Sequence, residues 1–154
     1  AANGLLSRIG NGDDKAAIAT VTATAQRYGF TSSEELRTLT GMASGNAVEN
    51  WTSTRDCGSF LFQVYAGTLV SKNASERMMQ LLLGQTRRTK IPAGVPSGVK
   101  VANKTGELAA VQNDVAIVFG THPYVLAVMS NDISSAVAPS QITELSRAVW
   151  DAAQ

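Results

Sequence analysis

A lysine, a threonine and a glycine, Lys104-Thr105-Gly106, end a stretch that is otherwise typical of a half-buried β-strand, VKVANKTGEL at residues 99–108. Side chains alternate across a strand, so Lys104 shares a face with Lys100 while Thr105 lies on the other face. Two lysines on one face of a sheet need a reason. They could serve an anionic ligand, or they could be the solvated lysines that keep an edge strand from pairing with another edge.

Metal and thiol chemistry have few residues to draw on. The chain has one cysteine, Cys57, and one histidine, His122, which cannot by themselves build a zinc site, and a single cysteine forms no internal disulfide. Cys57 lies in an apolar helical stretch and is typical of a small buried hydrophobe. His122 falls in a predicted hairpin loop, where an exposed turn residue is favoured over a catalytic base. We expect no metal and no cofactor.

The overall composition describes one globular domain. The chain has 154 residues, of which 44% are hydrophobic, and a net charge of +1, so we predict that residues 1–154 form a single domain. Its basic residues are scattered except for Arg87, Arg88 and Lys90, which argues against a nucleic-acid groove or a basic membrane patch. No apolar run approaches the ~20 residues of a membrane span, so none is expected in this chain.

Hydrophobic periodicity predicts helices first and strands afterwards. Four helices precede residue 85, with a polar loop at residues 30–51 that includes a short helix at 33–39. A basic, proline-containing link follows, and then three strands at 99–105, 114–119 and 124–130 and a last helix that starts at Pro139 or Ser140. This order predicts an α+β fold in which helices cover one face of an antiparallel three-strand meander, closed by a terminal helix.

The order of these elements, with IPAGVPSGVKVANKTGEL at residues 91–108, resembles the second half of the class A β-lactamase and penicillin-binding serine hydrolase family. It is particularly similar to β-lactamase-related serine hydrolases of Gram-positive bacteria. The resemblance runs from AANGLL at the start to the final helix and is strongest from Gln85 to Asp132. It implies a β-lactamase/transpeptidase-like fold and an enzyme that hydrolyses β-lactams or D-alanyl peptides through an acyl-serine intermediate. It also implies a secreted, cell-surface or periplasmic protein.

In that family the K-T-G strand borders the active site, and the resemblance carries its roles onto Lys104, Thr105 and Gly106. The lysine charge faces the substrate carboxylate and the nucleophile, the threonine hydroxyl binds the same carboxylate, and the glycine lets the acyl substrate lie against the strand. The backbone amide of Glu107 becomes one of two oxyanion donors. Asn113 falls near the position where many relatives carry an arginine, so it is expected to bind the substrate carboxylate more weakly.

Two motifs of the family are missing. The only S-x-x-K is SGVK at residues 97–100, and we reject Ser97 as the nucleophile because positions three apart on a strand point to opposite faces. SND at residues 130–132 is only a permuted form of S-D-N. In relatives S-D-N is followed almost at once by A-A-N-x-L-L, which here opens the chain. We therefore expect the C-terminal portion of a catalytic domain that lacks both motifs and is inactive alone.

The glutamate that drives deacylation in true β-lactamases sits in an E-x-x-L-N pattern, which is also missing. Glu34 and Glu35 fall about where that loop would lie, but they are better interpreted as solvated carboxylates at a helix start. Without such a base, the parent protein would acylate readily and deacylate slowly, as a peptidase or penicillin-binding protein does. Two alternatives stay open: a non-catalytic β-lactamase-like module that binds cell-wall peptide or a protein partner, and a two-chain complex whose second chain is an N-terminal fragment of the same protein.

Overall fold

The structure is a computed structural model that describes residues 2–38 and 49–154. The chain divides into two compact units, Ala1–Asp56 and Cys57–Gln154. The single domain expected for residues 1–154 stays a prediction. Within the described residues no helix is both long and apolar enough to cross a membrane.

The described residues of the first unit include α1 (Ala2–Ile9) and α2 (Asp14–Arg27). Asp13 caps α2, because its carboxylate accepts hydrogen bonds from the backbone N–H groups of Lys15 and Ala16. The helix predicted at 33–39 is wrong for residues 33–38, and residue 39 lies outside the described residues. In its place Glu34 and Trp51 exchange two backbone hydrogen bonds of 2.9 and 3.0 Å, forming an isolated antiparallel bridge.

The second unit carries an antiparallel sheet and the helices that pack on it. The strands have the order β1-β2-β3 in the sheet, and the α+β meander predicted from the sequence is confirmed. Helix α3 begins at the end of the first unit. The elements, in chain order, are α3 (Thr54–Ala66), α4 (Lys72–Leu83), a 3-10 helix (Ile91–Gly94), β1 (Lys100–Leu108), β2 (Val111–Phe119), β3 (Tyr124–Val128) and α5 (Ala138–Ala153).

Strand β1 does not end on Lys104-Thr105-Gly106, which corrects the prediction of an end at residue 105. It continues to Leu108, and Gly106 pairs with Asn113 in regular antiparallel register. The strand continues because the φ of Gly106 is not positive, so its backbone keeps an ordinary strand conformation. The motif therefore lies inside a paired strand rather than at its end.

Helices cover both faces of the sheet, whereas the sequence pattern predicted one. On one face Val101 and Val118 pack against Ile142 of α5. On the other face Ala102 and Ile117 pack against Leu61 of α3. The run VAIVF in β2 has consecutive buried residues instead of alternation, which is the pattern of a strand buried on both sides.

Only some of the apolar residues of α4 contribute to the core. Met79 and Leu82 pack against the cluster around Leu61, but Leu81 is 78% exposed. Leu83 also packs against this cluster. The apolar residues of MMQLLL, at residues 78–83, fit more than one helical face, and only packing against the sheet selects among them.

Candidate active site

Strand β1 lies at the edge of the sheet, with one side paired to β2. Arg88 Nη1 donates to the carbonyl oxygen of Val101 at 3.4 Å, so this carbonyl points away from β2. In an antiparallel strand, residues two apart direct their backbone groups to the same side. The N–H of Glu107, three such steps along, therefore lies on the outer edge of β1, which has no strand beside it within the described residues.

The side chain of Lys104 is exposed and reaches this same edge. Its ammonium group donates to the carbonyl oxygen of Thr105, which by the same alternation also points outward. A positive charge and a backbone N–H donor thus share one edge within three residues. Lys100 is exposed too, but it lies at the start of the strand, roughly 13 Å away along β1.

Gly106 and Asn113 lie opposite each other on the face that also carries Lys104. A Cβ added to Gly106 would meet only the Asn113 side chain, at 3.6 and 3.8 Å, which is ordinary contact. The Asn113 carboxamide oxygen is already occupied, because it accepts from the backbone N–H of Ser130 at 2.9 Å. Thr105 faces the other side, opposite Asp114, and is 8% exposed.

A buried lysine beneath the strand was missed by the sequence analysis. Lys90 was noted only as part of a basic link, yet its side chain is 1% exposed. Its ammonium group donates to Glu107 Oε1 at 3.0 Å and to the carbonyl oxygen of Asn113 at 3.2 Å. The hydrogen bond from Lys90 lowers the pKa of Glu107, and the positive charges of Lys90, Arg87 and Lys104 lower it further. Burial raises this pKa, but by less than the hydrogen bond lowers it.

A buried carboxylate lies beside this lysine and was also missed. Asp114 is fully buried, and its two oxygens accept from Ile91 N and from Asn103 Nδ2, each at 3.0 Å. Burial raises the pKa of Asp114, although these bonds and the charge of Lys90 act in the opposite direction. A sequence signal was available, because alternation places Asn103 on the face of the apolar Val101 and Asp114 on the face of the apolar Val118.

The serines of the two motif-like segments, SND at residues 130–132 and SGVK at residues 97–100, lie outside helices. Ser130 joins the chain after β3 to β2, since its hydroxyl donates to Gln112 O at 2.6 Å and accepts from Gln112 N at 3.2 Å. Ser97 is exposed in a turn that reaches Gly98, whose φ is +92°, and Lys100 is the first residue of β1. Ser97 and Lys100 therefore do not share a helix.

The acidic loop belongs to the first unit. The helix-start interpretation of Glu34 and Glu35 is wrong, because Glu34 forms the bridge with Trp51. Glu35 exchanges hydrogen bonds between its backbone and the Thr22 hydroxyl at 3.0 and 3.1 Å. Burial raises the pKa of the Glu35 carboxyl, partly offset by Arg37. Both glutamates line a cavity of about 290 Å³ within this unit.

No group of three or more His, Cys, Asp and Glu side chains that could hold a metal ion occurs in the part of the chain that the structure describes. Cys57 is half-buried at the start of α3 rather than fully buried. His122 is exposed in the loop between β2 and β3, as predicted.

Comparison with known proteins shows which family the chain resembles in sequence and in fold. The sequence model of the beta-lactamase enzyme family matches residues 1–153. A beta-lactamase from Sphaerobacter thermophilus DSM 20745 has a TM-score of 0.87 and 23% identity, covering 99% of this chain and 57% of that chain. PBP-A has a TM-score of 0.77 and 25% identity, covering 88% and 51%. The acyl-enzyme complex of its L158E mutant with penicillin G has a TM-score of 0.76 and 24% identity, covering 88% and 51%.

No curated protein matches the chain. The chain spans only 51% to 57% of the length of these three solved chains, so it corresponds to part of their fold. The likeness confirms the β-lactamase/transpeptidase-like architecture predicted from the sequence. Since the family model covers almost every residue, the chain belongs to the beta-lactamase enzyme family.

Proposed function

We propose that this chain forms the sheet side of the active site of a serine hydrolase that acts on β-lactams or D-alanyl peptides through an acyl-serine intermediate. The observation that carries the proposal is the outer edge of β1, where the Lys104 ammonium and the Glu107 N–H lie together. Family membership supports it, as does a structural neighbour, mutant PBP-A, whose structure is an acyl-enzyme complex with penicillin G.

The chemistry follows from what each group offers. When a serine oxygen attacks the substrate carbonyl, the carbonyl oxygen gains negative charge, and a fixed N–H such as that of Glu107 stabilises this charge more than it stabilises the neutral carbonyl. The Lys104 ammonium favours an anionic substrate and a deprotonated nucleophile. The serine would come from outside residues 1–154, because the only S-x-x-K in this sequence is at residues 97–100.

Gly106 supports the same function. Nothing in the described part of the fold excludes a side chain at this position, since an added Cβ meets only Asn113 at ordinary distances. Its backbone does not adopt a positive φ. A glycine that neither packing nor backbone geometry requires leaves open surface on the face of Lys104, where an acyl substrate can lie against the strand.

Deacylation is proposed to be slow. Glu35 has the raised pKa of a half-buried carboxyl, but the segment that follows it, LRT, does not continue as E-x-x-L-N. The parent protein would then be a peptidase or penicillin-binding type rather than an efficient β-lactamase. We further propose that it works outside the cytoplasm, on the cell surface, in the periplasm or secreted, where cell-wall peptide occurs.

A labelling experiment tests the function. The full-length protein and residues 1–154 alone are incubated with a fluorescent penicillin and analysed by intact mass. We expect a covalent adduct on the full-length protein and none on residues 1–154. An adduct on Ser97 would contradict the assignment of the nucleophile. Absence of any adduct on the full-length protein would contradict the hydrolase and favour a non-catalytic module, to be examined for binding of D-alanyl peptide.

A mixing experiment addresses the two-chain alternative. An N-terminal fragment that carries S-x-x-K and S-D-N is combined with residues 1–154, and labelling by fluorescent penicillin is measured. Recovery of labelling would support a complex in which the fragment is the partner of this chain. Labelling of neither piece, with normal labelling of the intact protein, would exclude it.

A further inference from the structure

The Lys90 side chain lies between two strands and contacts both. We propose that Lys90 is a positioning residue, which acts through the Glu107 carboxylate to hold the backbone N–H of Glu107 in the direction of the substrate carbonyl oxygen. This inference rests on the proposed function, since it gives that N–H an oxyanion to bind. Lys90 itself is only 1% exposed and is already bonded to Glu107 and Asn113, so it is not a substrate ligand in this arrangement.

The backbone around Lys90 is anchored on the other elements of the unit. The Lys90 carbonyl oxygen accepts from the Thr143 hydroxyl of α5 at 3.2 Å. The next residue, Ile91, donates its N–H to Asp114 of β2 at 3.0 Å and accepts from the Ser146 hydroxyl of α5 at 2.8 Å. The lysine is therefore attached at its base to a helix and to a central strand.

The far end of the side chain reaches the last residues of the edge strand. Its ammonium group bonds Glu107 of β1 at 3.0 Å and the carbonyl oxygen of Asn113 of β2 at 3.2 Å. Gly106 is paired with this same Asn113. Strand ends at a sheet edge open easily because few contacts hold them. A buried ammonium that joins the two strands at this point restrains the residue whose N–H is proposed to bind the oxyanion.

Arg87 offers a matched comparison on the same carboxylate. Its Nη1 donates to Glu107 Oε2 at 2.8 Å, but its side chain is 67% exposed. Exposed ion pairs contribute little, because water and salt screen them and a long side chain must be ordered. The Lys90 ammonium is buried and makes two bonds, so its removal takes a donor from one Glu107 carboxylate oxygen and from the Asn113 carbonyl oxygen. If Lys90 acts by holding the end of β1 in place rather than by adding positive charge, removing Lys90 should slow acylation much more than removing Arg87.

The test compares acylation of the full-length protein by a fluorescent penicillin in Lys90→Met, Arg87→Met and the double variant Lys90→Met/Glu107→Leu. For Lys90→Met we expect the rate constant at saturation to fall roughly tenfold or more, with little change in apparent affinity. Arg87→Met should stay within about twofold of wild type. The double variant removes both charges, so its stability should recover while its acylation stays slow.

Two kinetic outcomes would overturn the proposal. Equal slowing by Lys90→Met and Arg87→Met would show an effect of net charge. Recovery of acylation together with stability in the double variant would show that Lys90 serves the fold alone.

Amide hydrogen exchange separates this inference from the proposed function. Exchange at Gly106 and Leu108 should quicken in Lys90→Met and not in Arg87→Met. Unchanged exchange in Lys90→Met would overturn the positioning role even if acylation is slow. If wild-type protein is not acylated at all, the proposed function fails, and the positioning of an oxyanion donor fails with it, whatever the exchange shows about the strand.

Discussion

The two sides of β1 are built in opposite ways. On the side facing α5, Asn103 and Thr105 are buried against Asp114, and both Asp114 oxygens are bonded. On the other side Lys104 and Gly106 are exposed, and packing does not require their residue types. Asn103 and Asp114 are polar on this buried side because their hydrogen bonds join β1, β2 and the segment before the 3-10 helix. The exposed side has no such explanation, and residues that the fold does not need are the better candidates for function.

The two glycines of this region show the same difference. A Cβ at Gly94 would lie 2.5 Å from the Thr143 carbonyl oxygen and 2.6 Å from Ser146 Cβ, so the close approach of the 3-10 helix to α5 requires glycine. A Cβ at Gly106 would touch only Asn113 at 3.6 Å or more. Packing against α5 requires a glycine at position 94, whereas no packing contact requires one at position 106, where the surface is open to a ligand.

The largest expected effect is the loss of Asp114 on the buried side. Asp114→Ala leaves Ile91 N–H without its acceptor and removes one of the two acceptors of Asn103 Nδ2, the other being Arg87 O at 3.3 Å, and a buried unsatisfied donor costs about 1–3 kcal/mol. The free energy of unfolding, measured in urea, should fall by about 3 kcal/mol or more. Asp151→Ala, at an exposed site in α5, should stay within about 0.5 kcal/mol. Similar losses in the two variants would contradict the buried network.

The next effect belongs to the exposed side and concerns rate. Lys104→Ala should slow acylation of the full-length protein by roughly 100-fold or more, the scale of losing one preorganised electrostatic group. Lys100→Ala should change it much less, because Lys100 lies at the far end of β1. Neither should alter stability by more than about 0.5 kcal/mol. Acylation by fluorescent penicillin is measured for both, and equal rates in wild type and both variants would remove the argument from this motif.

A smaller effect is expected at Gly106. Gly106→Ala should leave the free energy of unfolding within about 0.5 kcal/mol, since its methyl group meets only Asn113. It should still slow acylation about tenfold, because the methyl group occupies surface proposed for the substrate. Gly94→Ala is the matched control, for which we expect a clear loss of stability. Undiminished acylation in a well-folded Gly106→Ala would place the substrate elsewhere.

The smallest effect is the pH dependence of stability, where Glu107 and Asp114 act with opposite sign. The pKa of Glu107 is lowered below its usual 4.5 by Lys90, so its stabilisation is present above pH 4.5 and is lost as pH falls through the folded value. The pKa of Asp114 is raised above 3.8 by burial, so stability is lost as pH rises from 3.8 through its folded value.

Unfolding of Glu107→Gln and Asp114→Asn is followed against pH. The advantage of wild type over Glu107→Gln should shrink in acid. Relative to Asp114→Asn, wild type should instead lose stability as pH rises. The same sign for both differences would show that the environments of the two carboxylates are wrongly assigned.

Local sequence signals predicted the type and order of the main helices and strands, but β2 begins earlier than predicted, at Val111, and β3 ends earlier, at Val128. The serine that caps α4, Ser71, accepts from Ala74 N at 3.1 Å, as the cap pattern indicates. Alternation correctly separated Lys104 from Thr105 on β1. The end of that strand was misjudged, because a glycine within a strand cannot be told from a glycine after it until Asn113 is found paired opposite.

The residues beneath the site required tertiary contacts. Lys90 precedes Ile91-Pro92 in a link with no periodic pattern, and nothing in that pattern shows that its side chain is buried. Its partners, Glu107 and Asn113, lie 17 and 23 residues further along the chain. Contacts at such separations depend on how the link passes the sheet, which no local propensity specifies.

The sequence by itself determined the order of helices and strands, the faces of β1 and the family resemblance, because periodicity and motif spacing are local properties. Tertiary structure alone decided that both faces of the sheet are covered, that the Lys104 ammonium and Glu107 N–H share the outer edge, and that Lys90 is buried beneath them. The physical reason is that burial and hydrogen-bond partners arise between segments distant in the chain, so a residue's charge or polarity states what it can do but not what it meets.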